Sequence, residues 1–450
     1  MGRLFGTDGV RGIANRELTC DLAMAIGRAA ASVLARGGRR RPVFVIGADT
    51  RMSADMLEAA LIAGLCSVGA DVIKLGVLPT PAVAYLVGKY KADAGIMISA
   101  SHNPAEYNGI KLFNGEGYKL ADALEEEIEC IVLDDAESPL TPVGGDIGRV
   151  TVAENAVKDY IDHLKSTVLF ALDGMHIAVD CANGSAAMTA PRLFQELGAD
   201  AHILFDRPDG VNINDRCGST HLEALAQYVV ENGLELGVAF DGDADRCLIV
   251  DKNGQLIDGD QIMAICSLDL RERGKLSGNT VVGTILTNFG FTKFCEENDL
   301  RFIATKVGDR YVLEELLLGD FAFGGEQSGH IIFRDFATTG DGQLTAIQLL
   351  SYIKRSGREL TELATVMTRY PQLSINLKVS AKGKLQFHTN AAIKAAIKAA
   401  KNALGTTGRV VVRPSGTEPL IRVMAEGLDD TLIREQAEAV ATVIREQLCD

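Results

Sequence analysis

The chain has 450 residues, 47% of them hydrophobic and 23% charged, a globular composition that excludes a disordered or collagen-like protein. Lys and Arg number 45 against 60 Asp and Glu, a net charge of −15, which argues against general nucleic-acid binding because such affinity rests on neutralising phosphates. No apolar stretch is long enough to span a bilayer, and nine scattered cysteines with no Cys-x-x-Cys and no secretion signal predict a reduced, cytoplasmic protein without a membrane partner.

Leu22, Ile26, Ala30 and Val33 share one helical face behind Thr19, a predicted N-cap. A buried strand is expected at 43–46, a helix from Ser53 to near Gly69, and a strand at 72–75. Pro79 and Pro81 open a further helix, and the strand 94–98 runs into Ser99-Ala100-Ser101-His102-Asn103-Pro104. The alternation returns with a strand at 176–180, a helix to Gly198, a strand at 201–205 and a helix over 219–233. The strand 236–240 then delivers Asp241-Gly242-Asp243-Ala244-Asp245-Arg246. A third round follows Asp258: a helix, a strand at 281–285, a helix after Asn288, a strand at 302–305, and a helix from Gly308. A strand at 321–323 leads to Gly325-Glu326-Gln327-Ser328-Gly329-His330. The remainder, with strands at 373–379, 410–412 and 421–425 and helices at 391–403 and the carboxyl end, reads as a smaller α+β domain.

This pattern predicts an α/β fold of three similar domains (1–150, 151–255 and 256–370) plus the α+β domain 371–450. Alternating strands and helices imply mixed, mostly parallel sheets. Ligands of such sheets bind beyond the carboxyl ends of strands, which is where the three polar loops fall.

Three carboxylates at alternate positions, Asp241, Asp243 and Asp245, repel one another unless a cation neutralises them, and oxygen-only ligands suit Mg²⁺. An EF-hand does not fit, because Arg246 and Lys252 stand where it needs Gly and Glu. A phosphate on a serine of the Ser99–Pro104 loop, set beside these carboxylates, can complete one ion's coordination. Glu326 and Ser328 are natural partners for sugar hydroxyls, and His330 can move protons near neutral pH. Arg413-Pro414-Ser415-Gly416-Thr417-Glu418-Pro419, with Arg422, has the composition of a phosphate cradle.

These four loops in this order, together with Phe5-Gly6-Thr7-Asp8-Gly9-Val10-Arg11-Gly12, resemble the motifs of the α-D-phosphohexomutase superfamily over nearly the whole chain. Ile-Ser-Ala-Ser-His-Asn-Pro and Gly-Glu-Gln-Ser-Gly-His look most like its bacterial amino-sugar branch. The phosphomannomutase/phosphoglucomutase branch, the alternative on the same scaffold, typically has Met where this chain has Gln327. The resemblance implies four domains around a cleft and a phosphosugar substrate, glucosamine 6-phosphate exchanging with glucosamine 1-phosphate through a sugar bisphosphate. It also points to a homodimer. By carry-over Ser101 is a phosphoserine, and Ser101, Asp241, Asp243 and Asp245 hold one Mg²⁺ per subunit. Arg11, His102, Lys111, Arg246 and His330 line the reacting end, with Lys111 or His330 as proton carriers. Glu326, Gln327 and Ser328 meet the sugar, and Arg413, Ser415, Gly416, Thr417 and Arg422 bind its distal phosphate.

Overall fold

The computed structural model describes residues 2–6, 8–34, 41–134, 141–415 and 420–449. The chain divides into two compact units, Met1–Thr284 with Thr305–Ala364, and Ile285–Ala304 with Thr365–Asp450.

In the first unit, strands β1 (Val10–Ile13), β2 (Val43–Ala48), β3 (Asp71–Val77), β4 (Ala94–Ile98), β5 (Tyr107–Asn114) and β6 (Val150–Val152) form one sheet in the order β1-β5-β4-β2-β3-β6. Its β2, β3, β4 and β6 pair in parallel, while β5 runs antiparallel to β4 and to β1. β2 and β4 carry continuous apolar runs because both faces are covered, as expected of parallel strands. Helices Cys20–Leu34 and Ser53–Ser67 pack on one face through Ile26, Ala30, Leu57 and Leu61. Thr19 Oγ1 accepts from Leu22 N at 3.2 Å, the capping contact expected at that position.

A second sheet holds β7 (His176–Asp180), β8 (Asp200–Leu204), β9 (Leu236–Phe240), β10 (Cys247–Asp251) and β11 (Leu256–Ile257), in the order β11-β10-β9-β7-β8. A third contains β12 (Thr280–Thr284), parallel to β14 (Phe323–Gly325), which is antiparallel to β15 (Ile331–Phe333); β13 is Arg301–Thr305. Each polar loop thus joins two antiparallel strands: β4 to β5, β9 to β10, and β14 to β15. The loops turn back on themselves at strand carboxyl ends instead of passing into a helix.

Three local differences from the expected elements have simple causes. The stretch before Gly198 is split into a 3₁₀ turn (Ser185–Met188) and a helix (Ala190–Glu196), because Pro191 at the helix start supplies no amide to continue the turn. The next helix begins at Glu223, four residues after Ser219, whose amide is taken by the carbonyl of Phe240 at 2.8 Å. The strand expected at 321–323 lies at Phe323–Gly325, since Phe321 N still donates to Leu316 O and closes the preceding helix.

In the second unit, β16 (Gln372–Lys378), β17 (Gly408–Pro414) and β18 (Leu420–Gly427) form an antiparallel sheet in the order β16-β18-β17. Helices Ala391–Leu404 and Asp430–Leu448 cover it through Ile393, Leu404, Ile433, Val440 and Ile444. Helix Phe289–Glu297 belongs to this unit. Its N-cap Asn288 donates to Tyr370 O at 3.0 Å and accepts from Tyr370 N at 3.0 Å.

Candidate active site

The β4–β5 and β9–β10 loops meet at Ser101. Its side chain is almost fully buried, and Oγ donates to Asp241 Oδ2 at 2.6 Å. His102 Nδ1 lies 3.3 Å from the same Oγ. Asp241, Asp243 and Asp245 are 1%, 0% and 3% exposed, and one carboxylate oxygen from each falls within 4.8 Å of the others. Asp243 Oδ1 and Asp245 Oδ1 are buried and accept no hydrogen bond among the described residues. Anionic oxygens in that condition are costly unless a cation meets them, so the donor set fits a hard divalent ion.

The closeness of the two loops depends on Gly242. A Cβ there would lie 2.6 Å from the carbonyl oxygen of Ser101, so no other residue allows the approach.

Lys111, projecting from β5, reaches Asp243 Oδ2 at 2.7 Å, Asp8 Oδ2 at 3.0 Å and Asp245 Oδ2 at 3.6 Å. Burial opposes its charge, but Asp243, Asp8 and Asp245 outweigh it and raise its pKa, so it is a fixed cation. Burial together with Asp245 and Asp243 pushes Asp241 well above the usual carboxylate range, whereas Lys111, His330 and Arg246 overcome burial to hold Asp245 low. Asp241 is therefore the carboxylate with most to gain from a bound cation. Burial, Arg246 and Arg11 press His102 down to about 4, leaving its imidazole neutral.

Arg246 donates its amide to Asp241 Oδ1 at 3.2 Å, and its Nε lies 3.8 Å from Asp245 Oδ1. Arg11 pairs with Asp8 and reaches Asn103 Oδ1 at 3.4 Å. Of the β14–β15 loop, His330 places Nδ1 3.6 Å from Asp245 and Nε2 3.6 Å from Asp309, and Nε2 also accepts from Gly340 N at 3.1 Å. Burial lowers its pKa, but the two carboxylates more than offset this and raise it. Glu326 accepts from Gly308 N at 3.1 Å and is raised by burial and by Asp309. Gln327 Nε2 lies 3.4 Å from Asp258 Oδ2, and Ser328 is half-buried on the same turn.

Ser101, His102, Lys111, Arg11, Arg246, His330 and the three aspartates are thus joined in one contact network. In the second unit, Arg413 and Arg422 occupy directly opposed positions on β17 and β18. Burial and the charge of Arg422 lower the pKa of Arg413, and like charges across a strand pair are unfavourable unless an anion is shared. Ser415 donates its amide to Leu420 O at 2.8 Å, closing the base of that loop. Gly416 and Thr417 lie outside the described residues, as does Thr7.

Sequence reasoning passed over Asp8, Lys119 and Asp309. Lys119 pairs with Asp8 and with Asp309, so alternating charges run from His330 through Asp309, Lys119, Asp8 and Lys111 back to Asp245. Asp8 stood inside the quoted amino-terminal motif and was legible there. Lys119 and Asp309 carry no local signal, since only the tertiary fold brings them together.

Comparison with known proteins gives consistent results. The chain matches four domain families of phosphoglucomutase/phosphomannomutase: alpha/beta/alpha domain I over residues 2–138, domain II over 158–254, domain III over 258–370, and the C-terminal domain over 375–443. It is 53% identical over 448 residues to a phosphoglucosamine mutase of Acetivibrio thermocellus, covering 100% of both chains. A phosphoglucomutase/phosphomannomutase family protein of Burkholderia thailandensis superposes with a TM-score of 0.84 at 23% identity, covering 99% of this chain and 98% of that one. The N-acetylphosphoglucosamine mutase of Aspergillus fumigatus, solved with GlcNAc-6P and magnesium, gives 0.71 at 17% identity over 99% and 96% of the two chains.

Proposed function

The chain belongs to the phosphoglucomutase/phosphomannomutase family, and we propose that it interconverts D-glucosamine 6-phosphate and D-glucosamine 1-phosphate, on the route to UDP-N-acetylglucosamine. It is an isomerase acting as an intramolecular phosphotransferase, working in the cytoplasm on a small phosphosugar. One observation supports this most directly: a buried serine hydroxyl donates at 2.6 Å to Asp241 Oδ2, within a triplet of buried aspartates that includes two oxygens, Asp243 Oδ1 and Asp245 Oδ1, without a hydrogen bond among the described residues.

Phospho-Ser101 gives its phosphoryl group to the free hydroxyl of the monophosphate. The Ser101 Oγ–P bond breaks, a sugar O–P bond forms, and the hydroxyl proton passes to a neighbouring base. The resulting bisphosphate turns end for end, and its other phosphate restores phospho-Ser101. Asp241, Asp243 and Asp245, with the serine phosphate, would hold Mg²⁺, which would supply charge stabilisation for the transferring group when bound. The chain's own part is positioning and fixed charge. Lys111 and Arg246 remain cationic throughout, and Arg11 faces the same centre. Because Lys111 is held by three carboxylates, His330 or neutral His102 is the better proton carrier. Glu326 and Ser328 meet the sugar hydroxyls in either orientation, and Arg413, Ser415, Gly416, Thr417 and Arg422 hold the distal phosphate.

The test is turnover of glucosamine, glucose and mannose phosphates side by side, with and without a chelator. Preference for the amino sugar, lost on chelation and restored by Mg²⁺, is expected. Faster turnover of mannose or glucose phosphate would assign the chain to the other branch.

A further inference from the structure

Resting on that reaction, we infer that Asp49, Arg51, Ser99 and Asn214 are positioning residues that hold the backbone of Ser101 for phosphoryl transfer. Ser101 has φ 52°, a left-handed conformation that a non-glycine residue keeps only when its surroundings impose it. The surroundings here are specific. The amide of Ser101 donates to Ser99 Oγ at 2.9 Å, and that hydroxyl in turn donates to Asp49 Oδ2 at 2.5 Å. On the other side, the carbonyl of Ser101 accepts from Arg51 Nη2 at 3.1 Å and from Asn214 Nδ2 at 2.9 Å. The same two donors also hold the carbonyl of Asn103, at 2.5 Å and 3.1 Å.

Asp49 is the hub. Its Oδ2 receives both Ser99 and the Arg51 guanidinium, and its Oδ1 accepts from Arg51 N at 3.0 Å. Both peptide groups of the left-handed turn therefore lead to one buried carboxylate, 1% exposed. Asn214 arrives separately from the segment between β8 and β9, and it is itself buried with φ 59°. A serine that must present Oγ to an acidic triplet, and later offer a phosphate in line to a sugar hydroxyl, needs its backbone fixed. A displacement near 1 Å costs about 100-fold in rate.

Asn214→Ala and Ser99→Ala, each compared with wild type, test this. In single turnovers, labelled phosphoenzyme is mixed with glucosamine 6-phosphate. In the steady state kcat and KM are separated, and amide exchange is followed at Ser101–Asn103. The expected result is kcat lower by about 100-fold with KM within about threefold, accelerated exchange confined to that turn, and a melting temperature lowered only slightly, with the protein folded under assay conditions. Unchanged transfer rates in a folded variant would overturn the inference. So would a kcat loss matching only the fraction of unfolded protein. If wild type itself shows no transfer to sugar, the reaction proposed above fails, while amide exchange still decides whether these residues hold the turn.

Discussion

Ser101 and Lys111 make opposite demands on the protein. Ser101→Ala deletes one hydroxyl from a loop whose backbone is tied elsewhere, so it should change stability by only about 1 kcal/mol while abolishing turnover. Denaturant unfolding beside a mutase assay measures both, and substantial activity in this variant would exclude Ser101 as the phosphoryl carrier. Lys111→Met is different. It leaves the buried Asp243 and Asp245, and the half-buried Asp8, without their shared cation, and breaking such a cluster costs about 3–5 kcal/mol. Urea unfolding should show a midpoint well below that of Ser101→Ala. Equal midpoints would mean that Lys111 does not carry the electrostatics of the centre.

The elements show where reading from sequence succeeds and where it stops. β4, β7 and β9 are apolar runs bounded by turn chemistry, and they stand in the structure over the residues expected. The returning strands β5, β10 and β15 were not anticipated. Tyr107–Asn114 contains Gly109 and two asparagines, poor strand formers, and becomes a strand only because β1 and β4 flank it. The aspartates were legible because their types and spacing announce a chemistry, whereas Ser101 was singled out only by the resemblance of its loop to a family motif. Asp49, Arg51, Lys119, Asn214 and Asp309 were not, since the site groups they meet lie far along the chain. Packing of one helix on another also sets a pH response. His163, on helix Ala156–Ser166, stacks on Tyr85 of helix Thr80–Lys89 with ring centroids 4.0 Å apart and bonds Phe336 O at 2.9 Å. Burial, assisted by Lys89, lowers its pKa against the pull of that carbonyl. The unfolded chain then binds a proton that the folded one refuses, so this contribution is present above about pH 6.5 and is lost as pH falls below it. The melting-temperature advantage of wild type over His163→Gln should therefore shrink from about pH 8 to about pH 5. A constant or growing gap would contradict the assignment.

For the molecule as a whole, the proposed reaction requires one phosphoryl group to move between protein and sugar without reaching water. The opposed arginines of the second unit are the proposed cradle for the distal phosphate. Arg413→Ala should weaken binding of the sugar phosphate by about 1.5–3 kcal/mol, read as a raised KM. Unchanged kinetics would remove the cradle from the substrate's path. The chemistry itself is tested most directly by a chase. Protein carrying labelled phosphate on Ser101 is mixed with unlabelled glucosamine 6-phosphate, and the label is followed in protein, sugar and inorganic phosphate. Label is expected to leave Ser101 for the sugar phosphates, with little released as inorganic phosphate. Label that stays on the protein, or that appears only as inorganic phosphate, would contradict the proposed reaction.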